Sequence, residues 1–150
     1  TPVNTSKSYT MIHRMYVVTA GTGGENAGAI TATAATDATV TAQITAGKNQ
    51  TLMAIYQVPA GKTAYMTNYY ADILRVVTAL SDVELRVKPF GEVYQLKHTL
   101  SLNSAATAYW NHYFGTPLVI SAKSIIKVRA DSSANNAIVA AGFDMVMIDG

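Results

Sequence analysis

The sequence contains no cysteine, so neither a disulfide nor a thiolate-bound metal can hold the fold together, and the redox compartment is left open. Charge is scarce too: 13% of residues are Asp, Glu, Lys or Arg, against about 25% in ordinary soluble domains. The apolar runs, such as Ile138–Phe143, fall far short of the ~20 residues of a membrane-spanning helix. A chain that is 49% hydrophobic, poor in charge and without a membrane segment is therefore expected to be covered by protein–protein contacts. The cations are Lys7, Arg14, Lys48, Lys62, Arg75, Arg86, Lys88, Lys97, Lys123, Lys127 and Arg129, scattered along the sequence, and the net charge is +2. Nucleic-acid binding requires a concentrated basic stripe, so no nucleic-acid partner is expected.

What is present fits one domain. At 150 residues a chain buries roughly 70% of its unfolded surface, enough for a self-sufficient core. Residues 1–8 are too polar for a signal peptide and read as an extended N-terminal arm, leaving 9–150 as a single domain.

Period-two alternation, the mark of a strand with one buried face, recurs through the second half. Val83, Leu85 and Val87 point one way, with Glu84, Arg86 and Lys88 opposite, until Pro89-Phe90-Gly91 breaks the run. Tyr94, Leu96, His98, Leu100 and Leu102 then share a face, which predicts the partner strand of a hairpin. Ile126–Asp131 alternates likewise. Ala137–Ile148 is almost continuously apolar and reads as a central strand buried on both faces. Upstream, Leu52–Val58 and Thr63–Ile73 flank Pro59-Ala60-Gly61-Lys62, a turn sequence that predicts a second hairpin. Tyr9–Thr19 reads as a first strand, and the Thr/Ala-rich Gly28–Ala46 as one or two weak strands or an arm. With hardly any helical signal, the fold class is all-β: an antiparallel β-sandwich of about eight strands, jelly-roll-like, with an extended N-terminal segment.

Motifs that suggest chemistry do not hold together. Gly21-Thr22-Gly23-Gly24 leads into no helix, as a nucleotide loop must, and reads as a turn. Gly61-Lys62-Thr63 imitates a Walker A ending, but Tyr56 stands where its first Gly belongs. His13, His98 and His112 lack the short spacings of a metal site, and His98 falls on the apolar face of its strand. The carboxylates Asp72, Asp82, Glu84, Glu92, Asp131, Asp144 and Asp149 sit in turns or on polar strand faces; two could still meet in space to give a hydrolytic pair. Thr1 could act as an N-terminal nucleophile, though such enzymes use a layered α/β fold. The expectation is a non-enzymatic protein without cofactor or metal.

Tyr65, Tyr69 and Tyr70 form one aromatic run, and Tyr109, Trp110, Tyr113 and Phe114 another, beside Asn111 and His112. Tyr and Trp combine a large apolar body with a polar tip, so core, subunit interface and glycan contact are all open to them. Tyr69, Tyr70, Tyr109, Trp110 and Tyr113 are the candidate partner-binding residues.

The stretch Gln50–Tyr65 (QTLMAIYQVPAGKTAY), the segment Val83–Leu96 with its Arg-Val-Lys-Pro-Phe-Gly centre, Phe114-Gly115-Thr116-Pro117-Leu118, and the ending Ile126–Asp149 resemble small β-sandwich structural proteins of tailed bacteriophages. The resemblance covers about two thirds of the chain, Gln50–Asp149, and rests on strand-and-turn signatures. It implies a virion structural protein assembled in the host cytoplasm: a capsid decoration or cement protein, self-associating as a homotrimer and contacting the major capsid protein or other virion proteins. The alternative it implies is a tail or head fibre component, with a receptor- or carbohydrate-binding tip.

Overall fold

Alternating side chains and turn residues dictate strands throughout. The computed structural model describes residues 3–9, 11–74 and 78–150, and among these the chain is all-β, with no helix and nine strands. Thr1 and Arg75 lie outside the described residues, as does Thr10 of the expected first strand. The chain gathers into two compact units, Thr1–Met53 and Ala54–Gly150.

In the first unit, β1 (Ile30–Thr33) and β2 (Val40–Ile44) pair antiparallel, from Ile30↔Ile44 to Thr33↔Val40. The Thr/Ala-rich stretch is thus a hairpin of its own. Small side chains give it little to bury beyond Ala42 and Ile44, and amide chemistry takes up the task. Asn26 and Asn49 clasp each other, each backbone N–H donating to the other's Oδ1 at 2.9 Å. Asn26 Nδ2 also donates to the carbonyls of Gly28 and Thr45, and Asn49 Nδ2 to that of Gly24. Asn49 holds φ at 57°, a conformation that Asn tolerates better than most residues. The expected strand Tyr9–Thr19 is not formed; its described residues contribute only a bridge from Tyr16 to Gln50, with Val17 N–H donating to Asn49 O.

The second unit is a sandwich of two antiparallel sheets. One is ordered β3 (Ile55–Gln57), β8 (Ile125–Ser132), β5 (Leu80–Lys88), β6 (Gln95–Asn103); the other β7 (Tyr109–Ile120), β4 (Lys62–Leu74), β9 (Ile138–Asp149). Their facing sides enclose a core that includes Met66, Tyr69, Ile73, Val83, Leu85 and Ile126. On β5, Val83, Leu85 and Val87 are buried, as expected, and β5–β6 is the expected hairpin, turned at Gly91 (φ 78°) with Glu92 N–H donating to Pro89 O.

Three expectations are corrected. Pro59–Lys62 does form a turn, with Lys62 N–H donating to Pro59 O and Gly61 at φ 73°, but it makes no hairpin. The turn carries the chain from one sheet to the other, because β3 pairs with β8 and β4 with β7 and β9. Second, β9 is an edge strand, and the centre of its sheet is β4. Alternate residues of β9 pack on the core while Ile138, Val146 and Ile148 stay exposed. Third, Leu96 does not share the face of Leu100 and Leu102. The register slips by one residue as Leu85 pairs with His98 and Arg86 with Leu96, a β-bulge that reverses the side-chain phase. Leu96 is consequently exposed.

A comparable irregularity keeps β4 in the core. Ala64 and Met66 face inward, the register shifts between Met66 and Asn68, and Tyr69, Ala71 and Ile73 continue the buried side. On the outward side Tyr70 lies across Gly142, its cross-strand partner on β9. A Cβ at position 142 would stand 2.6 Å from the Tyr70 hydroxyl and 2.7 Å from Cζ, inside contact distance. Gly142→Ala is therefore expected to cost about 1–3 kcal/mol through forced displacement of the ring, read from urea unfolding. In a Tyr70→Ala background the cost should vanish; an equal loss in both backgrounds would place its origin elsewhere.

Candidate functional site

The candidate surface is the outer face of the three-stranded sheet, and strand pairing decides which residues reach it. Tyr69 pairs with His112, Tyr70 with Asn111, Ala71 with Trp110 and Asp72 with Tyr109 on one side of β4. Cross-strand partners share a face and successive residues alternate. Tyr70, Tyr109, Asn111 and Tyr113 thus stand together on the outer face, with Leu74, Val119, Ile138, Val146 and Ile148 and with the carboxylates Asp72 and Asp144 among them. Tyr113 is 72% and Tyr109 60% exposed. Asn68 Nδ2 reaches Asn111 Oδ1 at 3.4 Å, a long contact across the β4–β7 pair.

The other two candidates belong elsewhere. Tyr69 is fully buried, and its hydroxyl donates to Val83 O at 2.8 Å across the core. Burial, with a smaller contribution from the Glu84 carboxylate, holds its phenol far above the usual range, so it stays a neutral donor. Trp110 is half-exposed but alternates with Tyr109 and Asn111, so it faces the sandwich side at the edge of β7. The five candidates therefore do not form one patch: Tyr70, Tyr109 and Tyr113 do.

Between the sheets, at the edge where β6 and β7 oppose, His98 and His112 stack with ring centroids 4.0 Å apart and planes 31° from parallel. Phe114 meets His112 edge-on at 4.8 Å and Tyr69 meets His98 at 6.1 Å. His98 Nδ1 is buried without a hydrogen-bond partner. Burial first, then repulsion from His112, lowers the His98 pKa. No cluster of three or more His, Asp or Glu able to hold a metal ion occurs among the described residues.

The outer face of the four-stranded sheet carries the charge that sequence reading left scattered. Glu84 sits between Arg86 and Arg129, accepting from Arg86 Nη2 at 2.7 Å and Arg129 Nε at 3.0 Å. Arg86 pairs with Lys127, and Asp82 with Asp131. A cavity of about 560 Å³ opens beside the aspartates, lined by Leu80, Asp82, Asn103, Thr107 and Asp131 among others. Neither grouping is visible in the sequence, where Asp82 and Asp131 stand far apart; the alternation around each was the signal, and the missing knowledge was register.

No protein-family model, curated protein or solved structure matches the chain.

The histidine pair generates a pH prediction. Because folding lowers the His98 pKa, the unfolded chain binds more protons between the folded value and about 6.5. The stability from keeping this ring neutral is thus complete above about 6.5 and is lost as pH falls below it toward the folded value. Urea midpoints measured from pH 8 to pH 5 should fall on the acid side, and His98→Phe should flatten that part of the curve. An unchanged slope in the variant would assign the acid sensitivity to other groups.

Proposed function

We propose that this chain is a structural protein of a tailed-phage virion, a capsid decoration or cement protein that stabilises the head through protein–protein contacts. The observation that carries this reading is the uncovered outer face of β7–β4–β9. At ~3.3 Å per residue and ~4.8 Å between strands, twelve residues by three strands give a face of roughly 40 by 14 Å. Such a face, of order 600 Å², in which apolar and aromatic side chains surround Asn111, Asp72 and Asp144, approaches the ~800 Å² per partner of specific interfaces. Val119, Val146 and Ile148 are more than half exposed there, beside the tyrosines suited to interfaces. The resemblance of Gln50–Asp149 to phage β-sandwich proteins supplies the setting.

In this reading the protein acts by burial and not as an enzyme. Copies associate as homotrimers, each a sandwich of the jelly-roll kind, and seat on the major capsid protein or another virion protein. Many such weak contacts add by avidity, and residues 1–8 serve as an arm that extends onto a neighbour. The site of action is the virion, assembled in the host cytoplasm.

A second reading, a fibre component with a carbohydrate-binding tip, is favoured by one observation: Tyr109 and Tyr113 flank Asn111 on one exposed face, apolar rings beside an amide.

Light scattering of the purified chain, with and without native particles, separates the two. A trimer that co-sediments with capsids is expected, and Val146→Asp should weaken assembly and capsid binding by at least tenfold while shifting the unfolding free energy by less than about 0.5 kcal/mol. A monomer that ignores capsids yet loses glycan binding on Tyr113→Ala would replace the first reading by the second.

A further inference from the structure

The outer face of the four-stranded sheet is electrically polarised, and the polarity follows from register. Outward residues of β5 run Asp82, Glu84, Arg86, Lys88; opposite them on β8 stand Asp131, Arg129, Lys127 and Ile125. The cross-strand rows therefore read acidic–acidic, acidic–basic, basic–basic and basic–apolar. In the middle Glu84 is held by Arg86 and Arg129, one carboxylate between two guanidiniums. The acidic end has no such partner: among the described residues neither Asp82 nor Asp131 has a cation within ion-pair distance; Asp82 Oδ1 accepts only from Ser101 Oγ, at 2.7 Å. At the other end Lys88 and Lys127 lie over the Tyr94 ring at 5.9 and 5.8 Å, and Lys123 over Phe90 at 4.9 Å.

Like charges directly opposite each other on neighbouring strands destabilise a sheet. Two such rows, Asp82–Asp131 and Arg86–Lys127, lie roughly 13 Å apart along the strands, from the ~3.3 Å rise per residue. A surface that neutralises both must carry the same pattern reversed. A long polyanion would satisfy the lysines but be driven off by the aspartates, and an acidic peptide would have to stop short of Glu84. The same face turned through half a revolution has the reversed pattern by construction, which is the requirement of an isologous contact.

We infer that two copies of this chain pair face to face through the outer surface of β8–β5–β6. Their strands run antiparallel about a two-fold axis, and Asp82 and Asp131 of each copy lie over Lys88 and Lys127 of the other. Exposed Leu96, which pairs with Arg86, and Tyr94, beneath Lys88 and Lys127, supply apolar contact at the basic end. This surface is the opposite side of the sandwich from the β7–β4–β9 face, so the pairing stands without the virion role and would link assemblies built through that other face.

The test is a charge exchange on the full chain, read by light scattering or sedimentation. Wild-type protein should double its mass on going from about 0.5 M to about 0.02 M salt, because ion pairs at a surface are screened at the higher concentration. Lys88→Glu/Lys127→Glu and Asp82→Lys/Asp131→Lys should each lose the doubling at low salt, with association weakened at least tenfold. An equimolar mixture of the two variants should regain it, since the acidic positions 82, 88, 127 and 131 of one variant then meet basic residues at the same positions of the other. No salt-dependent doubling of the wild type, or a mixture no heavier than its components, would overturn the inference. So would wild-type protein that stays undoubled but binds heparin, which would assign the lysines to a polyanion. Circular dichroism of both variants verifies that the fold is kept, and the wild-type salt series decides independently of them.

Discussion

One hydrogen bond spans the thickness of the sandwich at its centre. Tyr69 stands on β4, the middle strand of one sheet, and donates to the carbonyl of Val83 on β5, an interior strand of the other. A buried phenol without a partner would be costly; with this one it fixes which residues of β4 lie over which residues of β5. Around it the apolar core residues, Met66, Ile73, Leu85 and Ile126 among them, pack by a non-directional force, which fills space without choosing a register. The direction comes from the tyrosine. That bond in turn depends on the register shift between Met66 and Asn68, which turns position 69 and not position 70 toward the interior.

Local chemistry made much of this fold legible. Turn residues marked Pro59–Lys62 and Pro89–Gly91, alternation marked β5, β6 and β8, and the absence of helical period marked the class. What could not be read was pairing between distant segments. Pro59–Gly61 has the same turn chemistry whether the chain comes back beside itself or crosses to another sheet, and the choice was made by β8, far along the sequence. The apolar run in β9 looked doubly buried because Val139, Ala141, Phe143 and Met145 fill one face and Ile138, Ala140, Val146 and Ile148 much of the other; the outer one lacks a cover. Bulges shift phase without a sequence mark of their own, which is how Leu96 left the core face.

The same limit governed the surfaces. Sequence singled out two aromatic segments, yet adjacency along a strand means opposition across it, so Trp110 parted from Tyr109 and Tyr69 from Tyr70. Charges spread thinly along the chain were collected by the ladder into rows. The result is a sandwich whose two outer faces differ in kind, one mainly apolar and aromatic around two carboxylates, the other a polarised field of acid and base. Two such faces can discriminate between partners by different physics.

The position of β4 also bears on how the molecule is made. Among the described residues its ladder partners are β7 and β9, both of which follow it by dozens of residues. A ribosome adding about 5–20 residues per second releases this long, tyrosine-rich strand seconds before β7 arrives, and β9 comes last of all. Through that interval both of its hydrogen-bonding edges are open. The hairpin of β5 and β6 emerges in between and can close on itself, so the growing chain passes through a stage in which the smaller sheet is represented by its bare centre. An open strand edge is a site where nascent chains can pair with one another, so synthesis speed and the local density of neighbouring chains bear on how much of the product escapes aggregation.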